Sequence, residues 1–391
     1  MKTGKLEERV VILGNGVAGY SAAYNIKKYR EETPVTMISH EPYPLYSACA
    51  LADYLAGEIA RENLFLANLS WYKGAGILTR FGEKVVKIDT PRKEVLLNNE
   101  VISYDKLILA TGSRAFRAPI KGIEEEGVYV LKSVGDADNI LKCQGNCAVV
   151  IGSGPVGIET TVALKKRGLE VYLIESLPRV LPRVFNKGPS IFIRKILEDH
   201  GIKVFCEELV TGIIHKGKRI EVITSTREIK CDLVIVAAGM LPNSDIAQEA
   251  RIKLGELGGI RVNERMETNV EGVYACGDCV ETWDVLTCKN SLSLLWPSAR
   301  KQGRVAGLNS VGIEKRYIGS VNYVGVDVFG VQGASLGTVE NNDFKSSAVE
   351  KKGKDFFRRF LIRDGTIHGI QVIGDMKGIG MVMNIVKKKC L

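Results

Sequence analysis

Two glycine-rich segments have the residue types and the spacing that bind a dinucleotide. Each follows a short apolar run, residues 10–13 in one case and 148–151 in the other, and each precedes a helical pattern. The glycines are Gly14, Gly16 and Gly19 in the first segment and Gly152, Gly154 and Gly157 in the second. Such glycines permit a tight turn and a close approach of backbone to pyrophosphate, and the following helix N-terminus offers N–H groups and a positive dipole end. The two segments therefore predict two nucleotide sites.

An acidic residue about 20 positions after each loop should bind the two hydroxyls of a ribose. Glu175 closes the second unit as required, whereas in the first unit the acid comes slightly late, at Glu41. A carboxylate at position 175 would repel a ribose 2′-phosphate, so NADH is favoured over NADPH. Ser176 and Arg179 are near enough to leave NADPH open as an alternative.

The elements that position these residues alternate between short β-branched runs and helical patterns, which predicts an α/β fold with parallel sheets. The strand, glycine loop, helix and strand occur twice, so we expect two Rossmann-like dinucleotide-binding domains. Antiparallel-type segments at 321–328 and 356–362 and a last helix at 379–388 predict a small α+β C-terminal domain.

Composition limits the class of protein. The chain has 391 residues, is 45% hydrophobic and carries a net charge of +9. It lacks both a run of about 18 apolar residues and basic runs interleaved with aromatics, which argues against a membrane span and nucleic-acid binding. The polar start favours a cytoplasmic protein, and the odd count of nine cysteines favours reduced thiols rather than disulfides or metal ligands. An acidic partner remains open.

Two further motifs point to a family. The loops, together with residues 110–112 and 272–278, resemble the FAD-dependent pyridine nucleotide–disulfide oxidoreductase superfamily over roughly residues 8–312. The resemblance implies that the first loop binds FAD, that the second binds NAD(P)H, and that hydride passes to flavin N5. It also implies an FAD domain at 1–113 and 240–315, an NAD(P)H domain at 114–239 and a C-terminal domain at 316–391.

The resemblance also implies cofactor contacts. Asp278 would hold the ribityl-phosphate, Glu159 would lie near the nicotinamide and the flavin N5 edge, and Trp296 would either stack near the flavin or pack in the core. The implied FAD contacts are Gly14, Gly16, Val17, Ala18, Gly19, Glu41, Ser47, Cys49, Ala110, Thr111, Gly112, Gly277, Asp278 and Trp296. The implied NAD contacts are Gly152, Gly154, Pro155, Val156, Gly157, Glu159, Glu175, Ala238 and Gly239.

The substrate side depends on one cysteine. Residues 44–55 contain Cys49 alone, which resembles the single-cysteine branch of NADH oxidases, NADH peroxidases and coenzyme A disulfide reductases. There the cysteine cycles through a mixed disulfide or sulfenic acid. The alternative is that Cys49 is a small packing residue that lines the flavin pocket.

The short segment after Tyr317 instead resembles NADH:rubredoxin oxidoreductases and relatives that work with ferredoxin-like carriers. Those proteins often have a lysine where this chain has Ala52, which would leave Glu159 without a cationic partner. We therefore expect electron transfer from NADH to a small acidic iron–sulfur protein. The alternatives are an oxidase or coenzyme A disulfide reductase that uses Cys49, with Cys49 and Glu159 as catalytic residues, and a flavin subunit of a larger redox complex. A homodimer is compatible with each.

Overall fold

The computed structural model describes residues 8–217, 219–339, 346–353, 355–378 and 380. The chain divides into two compact units. The first comprises residues up to 47, 65–114 and 241–321, and the second comprises 48–64, 115–240 and the residues from 322 onward. Each unit is thus assembled from separate stretches of sequence.

The helices and strands of the described residues follow in chain order. The helices are α1 (Val17–Tyr29), α2 (Leu51–Ala56), α3 (Leu69–Gly74), α4 (Val134–Lys142), α5 (Pro155–Lys166), α6 (Lys187–Asp199), α7 (Asp245–Glu249) and α8 (Trp296–Ser310). The strands are β1 (Val10–Leu13), β2 (Val35–Ser39), β3 (Ile77–Phe81), β4 (Lys87–Asp89), β5 (Glu94–Leu96), β6 (Val101–Ser103), β7 (Lys106–Leu109), β8 (Ser113–Ala115), β9 (Val128–Tyr129), β10 (Cys147–Ile151), β11 (Glu170–Ile174), β12 (Lys203–Phe205), β13 (Val210–Lys216), β14 (Arg219–Thr224), β15 (Glu228–Cys231), β16 (Leu233–Val236), β17 (Met240–Pro242), β18 (Ile260–Arg261), β19 (Val273–Ala275), β20 (Val280–Asp284), β21 (Lys289–Leu292), β22 (Tyr323–Val328), β23 (Val331–Gly337), β24 (Ser346–Lys352), β25 (Phe357–Arg363) and β26 (Thr366–Ile373).

The first unit is built on a parallel sheet with the strand order β19-β7-β1-β2-β3. β1 is buried along its whole length, as a strand covered on both faces must be. Ile12 and Ile108 pack with buried residues of α1 and α8, whereas Val11 and Leu107 belong to a core on the opposite face. Two three-stranded sheets, β4-β5-β6 and β18-β20-β21, complete this unit.

The second unit repeats the arrangement with the parallel order β12-β11-β10-β16-β9 and adds the antiparallel meander β13-β14-β15. The predicted fold class is therefore confirmed: each unit contains a Rossmann-type parallel sheet.

The C-terminal part of the second unit is an antiparallel sheet with the order β22-β23-β26-β25-β24. The side-chain oxygen of Gln371 on β26 accepts a hydrogen bond from the backbone N–H of Asn186 at 3.0 Å, which ties this sheet to the start of α6. The strands predicted at 321–328 and 356–362 are present as β22 and β25. The helix predicted at 379–388 lies outside the described residues.

Residues 48–64 belong to the second unit, where they form two short 3-10 turns around α2. Asp138 on α4 holds this segment. Its carboxylate accepts hydrogen bonds from the Tyr54 hydroxyl at 2.8 Å and from the Arg61 guanidinium at 2.9 Å. This anchor fixes the segment that carries Cys49.

Candidate functional site

The first glycine of each loop occupies a position that a side chain cannot take. Gly14 has φ +109°, and a Cβ there would lie 2.1 Å from the carbonyl oxygen of Ala110. Gly152 has φ +99°, and its Cβ would lie 2.5 Å from the carbonyl oxygen of Ala237. Both glycines thus turn the chain against the end of the neighbouring strand.

The third glycine of each loop brings helix and loop together, and the second leaves room for a ligand. A Cβ on Gly19 or Gly157 would lie 2.0 Å from the carbonyl oxygen of the first glycine of its loop. A Cβ on Gly16 or Gly154 would meet nothing within 4 Å. These second glycines are the N-caps of α1 and α5, and neither helix has a side-chain cap. The exposed helix N-termini in an open cradle fit a dinucleotide pyrophosphate.

In the first unit, the predicted FAD contacts cluster at one edge of the parallel sheet. Residues Gly14–Gly19 follow β1, Ala110–Gly112 follow β7, and Gly277 and Asp278 follow β19. Since β19, β7 and β1 are neighbours, these segments lie side by side at the carboxyl ends of their strands, where ligands of such sheets bind. Ser47 and Trp296 are both partly buried within the same unit.

Two polar residues that sequence analysis missed support this cluster. The Ser113 hydroxyl donates to a carboxylate oxygen of Asp278 at 2.8 Å. The buried side-chain oxygen of Gln302 on α8 accepts from the backbone N–H of Gly277 at 2.8 Å. Ser113 directly follows a predicted contact and could have been proposed, whereas nothing in the sequence links Gln302 to Gly277.

The two acids predicted to bind ribose have different surroundings. Glu41, just beyond β2, is partly buried and accepts a hydrogen bond from the Tyr46 hydroxyl at 2.8 Å. Glu175, just beyond β11, is buried and accepts hydrogen bonds from the backbone N–H groups of Ser153 and Leu177, both at 2.9 Å. Glu175 therefore also holds the second glycine loop in place.

The remaining predicted NAD contacts lie in the same unit as that loop. Pro155 and Val156 form the first turn of α5, and Ala238 and Gly239 follow β16, whose neighbour in the sheet is β10. The loop between β10 and α5 and the segment after β16 thus meet at one edge of the second parallel sheet. Contact of these residues with a nicotinamide cofactor stays a prediction.

Cys49 and Glu159 line one pocket of the second unit, with a volume of about 460 Å³. The lining residues come from the segment 49–58, from α5, and from the end of β22 with the turn that follows it. They are Cys49, Ala52, Asp53, Ala56, Glu58, Glu159, Val162, Ala163, Lys166, Asp327 and Gly330. The exposed Cys49 lies in a 3-10 turn on this wall rather than packed in a core. We call this cavity the Cys49 pocket.

Glu159 is partly protonated at neutral pH. Burial, then the charge of Asp53, then that of Asp327 raise the pKa of Glu159 to about 7. Ala52 stands in the pocket where relatives often have a lysine, and the nearby Lys166 forms an ion pair with Glu58 at 2.5 Å. Asp53 and Asp327 come from α2 and from the C-terminal sheet, and neither was predicted from the sequence.

The other cysteines have a different character. Among the eight in the described residues, only Cys49 and Cys288 are exposed. Burial raises the pKa of the Cys276 thiol well above its ordinary value and raises that of Cys147 to about 11, so both stay protonated and poorly reactive.

Among the helices of the described residues, none has the length and apolar character that a membrane crossing requires.

A parallel sheet with a glycine loop in each unit, and a pocket lined by Cys49 and Glu159, are typical of a dinucleotide-dependent oxidoreductase. Residues 8–303 match the family model of pyridine nucleotide-disulphide oxidoreductases, and residues 326–390 match that of the rubredoxin NAD+ reductase C-terminal domain. Because the first match covers most of the chain, the chain belongs to the pyridine nucleotide-disulphide oxidoreductase family. This confirms the predicted family. The chain is an NAD(P)H-dependent oxidoreductase that uses FAD.

The chain is similar to several characterised proteins. It is 34% identical to an NADH oxidase of Methanocaldococcus jannaschii, over 80% of this chain and 72% of that protein. It is 28% identical to the assimilatory nitrate reductase electron transfer subunit of Bacillus subtilis, over 95% of this chain but 48% of that protein. Among solved structures, an NAD-dependent persulfide reductase from A. fulgidus superimposes with a TM-score of 0.92 at 29% identity, over 97% of this chain and 77% of the other. The chain thus spans only about half of one of these relatives.

Proposed function

We propose that this chain takes electrons from NADH and passes them to a small acidic iron–sulfur protein of the rubredoxin or ferredoxin type. The observation that carries the proposal is the match of residues 326–390 to the C-terminal domain of rubredoxin NAD+ reductases. The net charge of +9 adds support because it would attract an acidic carrier.

The chain's residues would act in two groups. The loop at Gly14–Gly19, with Ala110–Gly112, Gly277 and Asp278, would hold FAD, and the loop at Gly152–Gly157, with Glu175, would hold NADH. When bound, FAD supplies a hydride acceptor that can release electrons singly. NADH gives up two electrons and one proton, two carrier molecules each take one electron, and the proton is released. The carboxylate of Glu159 would hold or release a proton at neutral pH, because the pKa of Glu159 is about 7.

The test is anaerobic reduction of a purified rubredoxin and a ferredoxin by NADH and the flavin-loaded protein. We expect catalytic reduction of at least one carrier, a rate that falls steeply as salt is added, and retention of the rate in Cys49→Ser. Failure to reduce either carrier at low salt, while NADH still reduces an uncharged quinone, would contradict the proposal.

A second function is favoured by the exposed Cys49 in its pocket beside Glu159. In this alternative the acceptor is oxygen, a peroxide or a low-molecular-weight disulfide such as coenzyme A disulfide. The names of the M. jannaschii and A. fulgidus relatives support it. Cys49→Ser should then abolish turnover with these acceptors, and NADH titration of the native protein should yield a thiolate-to-FAD charge-transfer band.

The name of the B. subtilis relative supports a third alternative, a flavin subunit of a larger redox complex. In that case the isolated chain would bind FAD but show poor activity with every small acceptor, and purification from its native source would recover a stoichiometric partner.

A further inference from the structure

The two longest helices of the first unit pack side by side at unusually short range. A Cβ on Gly303 of α8 would lie 2.1 Å from the carbonyl oxygen of Ala18 on α1, and one on Gly307 would lie 2.5 Å from that of Ala22. Because both contacts advance by four residues, the helices run parallel, with their backbones nearly touching. Their exposed sides therefore form one continuous surface.

The exposed sides of α1 and α8 themselves carry cations and no carboxylates. Arg300, Lys301 and Arg304 are exposed on the first turns of α8, and Lys28 is exposed on the last turn of α1. Neither helix contains an aspartate or a glutamate. Within the described residues none of these four cations takes part in an ion pair, and Glu314, just beyond α8, is paired with Arg265 instead. We call the four residues the basic helix face.

An aromatic group borders the face. Tyr24, one turn before Lys28 on α1, is 43% exposed and stacks on Trp71 with ring centroids 6.2 Å apart. Arginines and exposed aromatic side chains are the residue types that contribute most at protein interfaces. Their combination with uncompensated charge distinguishes this surface from an ordinary solvated helix.

The basic helix face is also linked to the proposed FAD residues. Gln302, in the same helical turn as Arg300 and Arg304, accepts the hydrogen bond from Gly277, next to Asp278. The opposite side of the same turn is therefore in contact with the proposed ribityl-phosphate site. A carrier held on this face would lie one helix diameter from that site.

We propose that the basic helix face is the docking surface for the acidic iron–sulfur carrier, an inference that rests on the proposed function. The occupant is a small protein whose carboxylates surround its redox centre, because a carboxylate-rich surface complements four unpaired cations. Lysines at the edge of the face would steer association, and the arginines would form bidentate pairs with carboxylates.

The test compares two double variants that change the net charge equally, from +9 to +5. In Arg300→Glu/Lys301→Glu the charge of two residues of the basic helix face is reversed. In the matched control, Lys84→Glu/Lys87→Glu, the charge of two exposed lysines elsewhere in the same unit is reversed. Flavin content and NADH-dependent reduction of menadione, an uncharged acceptor, show that each variant is folded and active.

At low ionic strength we expect kcat/KM for the purified rubredoxin or ferredoxin to fall by about tenfold or more in the face variant and by less than about twofold in the control. The gap should narrow as salt is added. Equal losses in both variants, or none in either, would overturn the docking surface. If the native protein reduces menadione but neither carrier, the proposed function itself fails, and this outcome is distinguishable from the first.

Discussion

The carboxyl of Glu159 should titrate near neutral pH, and the residues around Glu159 determine how far its pKa is raised. The pKa of Glu159 rises from 4.5 to about 7, a preference for the protonated form of about 3 kcal/mol. Burial is the largest cause of the rise, the charge of Asp53 is the second and that of Asp327 the third. Asp53→Asn and Asp327→Asn should therefore each lower the pKa of Glu159, and Asp53→Asn should lower it further.

Carbon-13 NMR of flavin-free protein labelled at the glutamate carboxyls measures the pKa of Glu159 directly in the native protein and in each variant. The Glu159 signal is assigned by its loss in Glu159→Gln. Asp364→Asn is the matched control, since it removes one exposed carboxylate at a different turn of the C-terminal sheet. A native midpoint below about 5.5, or a midpoint that neither Asp53→Asn nor Asp327→Asn changes, would refute the electrostatic account of the Cys49 pocket.

The same titration affects stability. Because the folded-state pKa of Glu159 is raised, the stability that this group contributes is complete below pH 4.5 and is lost as the pH rises through about 7. The loss approaches about 3 kcal/mol at pH 8, and a glutamine does not suffer it. The unfolding temperature of Glu159→Gln should therefore exceed that of the native protein at pH 8 and match it near pH 4. A lower unfolding temperature at pH 8 would contradict this reasoning.

Three further outcomes are expected. A Cβ at position 16 would meet open space in the protein, so Gly16→Ala should fold but lose FAD on gel filtration. A Cβ at position 14 would lie 2.1 Å from a carbonyl oxygen, so Gly14→Ala should also have a lower unfolding temperature by circular dichroism. Equal unfolding temperatures for the two variants would contradict this. Ala52→Lys should place a cation in the Cys49 pocket and lower the pKa of Glu159 by NMR, while Ala52→Leu should not lower it. Glu175→Gln should narrow the difference in KM between NADPH and NADH. An unchanged ratio of the two KM values would show that Glu175 does not discriminate between the cofactors.

The parts of the fold that depend on local sequence could be predicted. The apolar run of β1, the glycine that must adopt positive φ at position 14 and the helix that begins at Val17 are neighbours in sequence, so their types and spacing determine the loop. The same holds for the loop at Gly152. Both parallel sheets follow because each repeats this unit.

The electrostatics of the Cys49 pocket could not be predicted in this way. Glu159, Asp53 and Asp327 come from α5, α2 and β22, and only the packing of the C-terminal sheet brings them together. The absence of a lysine at position 52 could be predicted from the sequence, but the two acids that act on Glu159 instead could not. Gln302 is a similar case, since its role depends on the close approach of α8 to the loop after β19.

The order of strands along the chain has a consequence for synthesis on the ribosome. The first unit contains β1, but its edge strand β19 and the helix α8 are encoded after every strand of the second parallel sheet. A nascent chain that has reached residue 240 contains all five strands of the second sheet and only four of the first. The backbone of α1 at Ala18 and Ala22, which Gly303 and Gly307 will cover, stays open to water until α8 has been synthesised. The later-encoded sheet can therefore be the first to fold, and the N-terminal segment is the part of the newborn chain that most needs protection from aggregation.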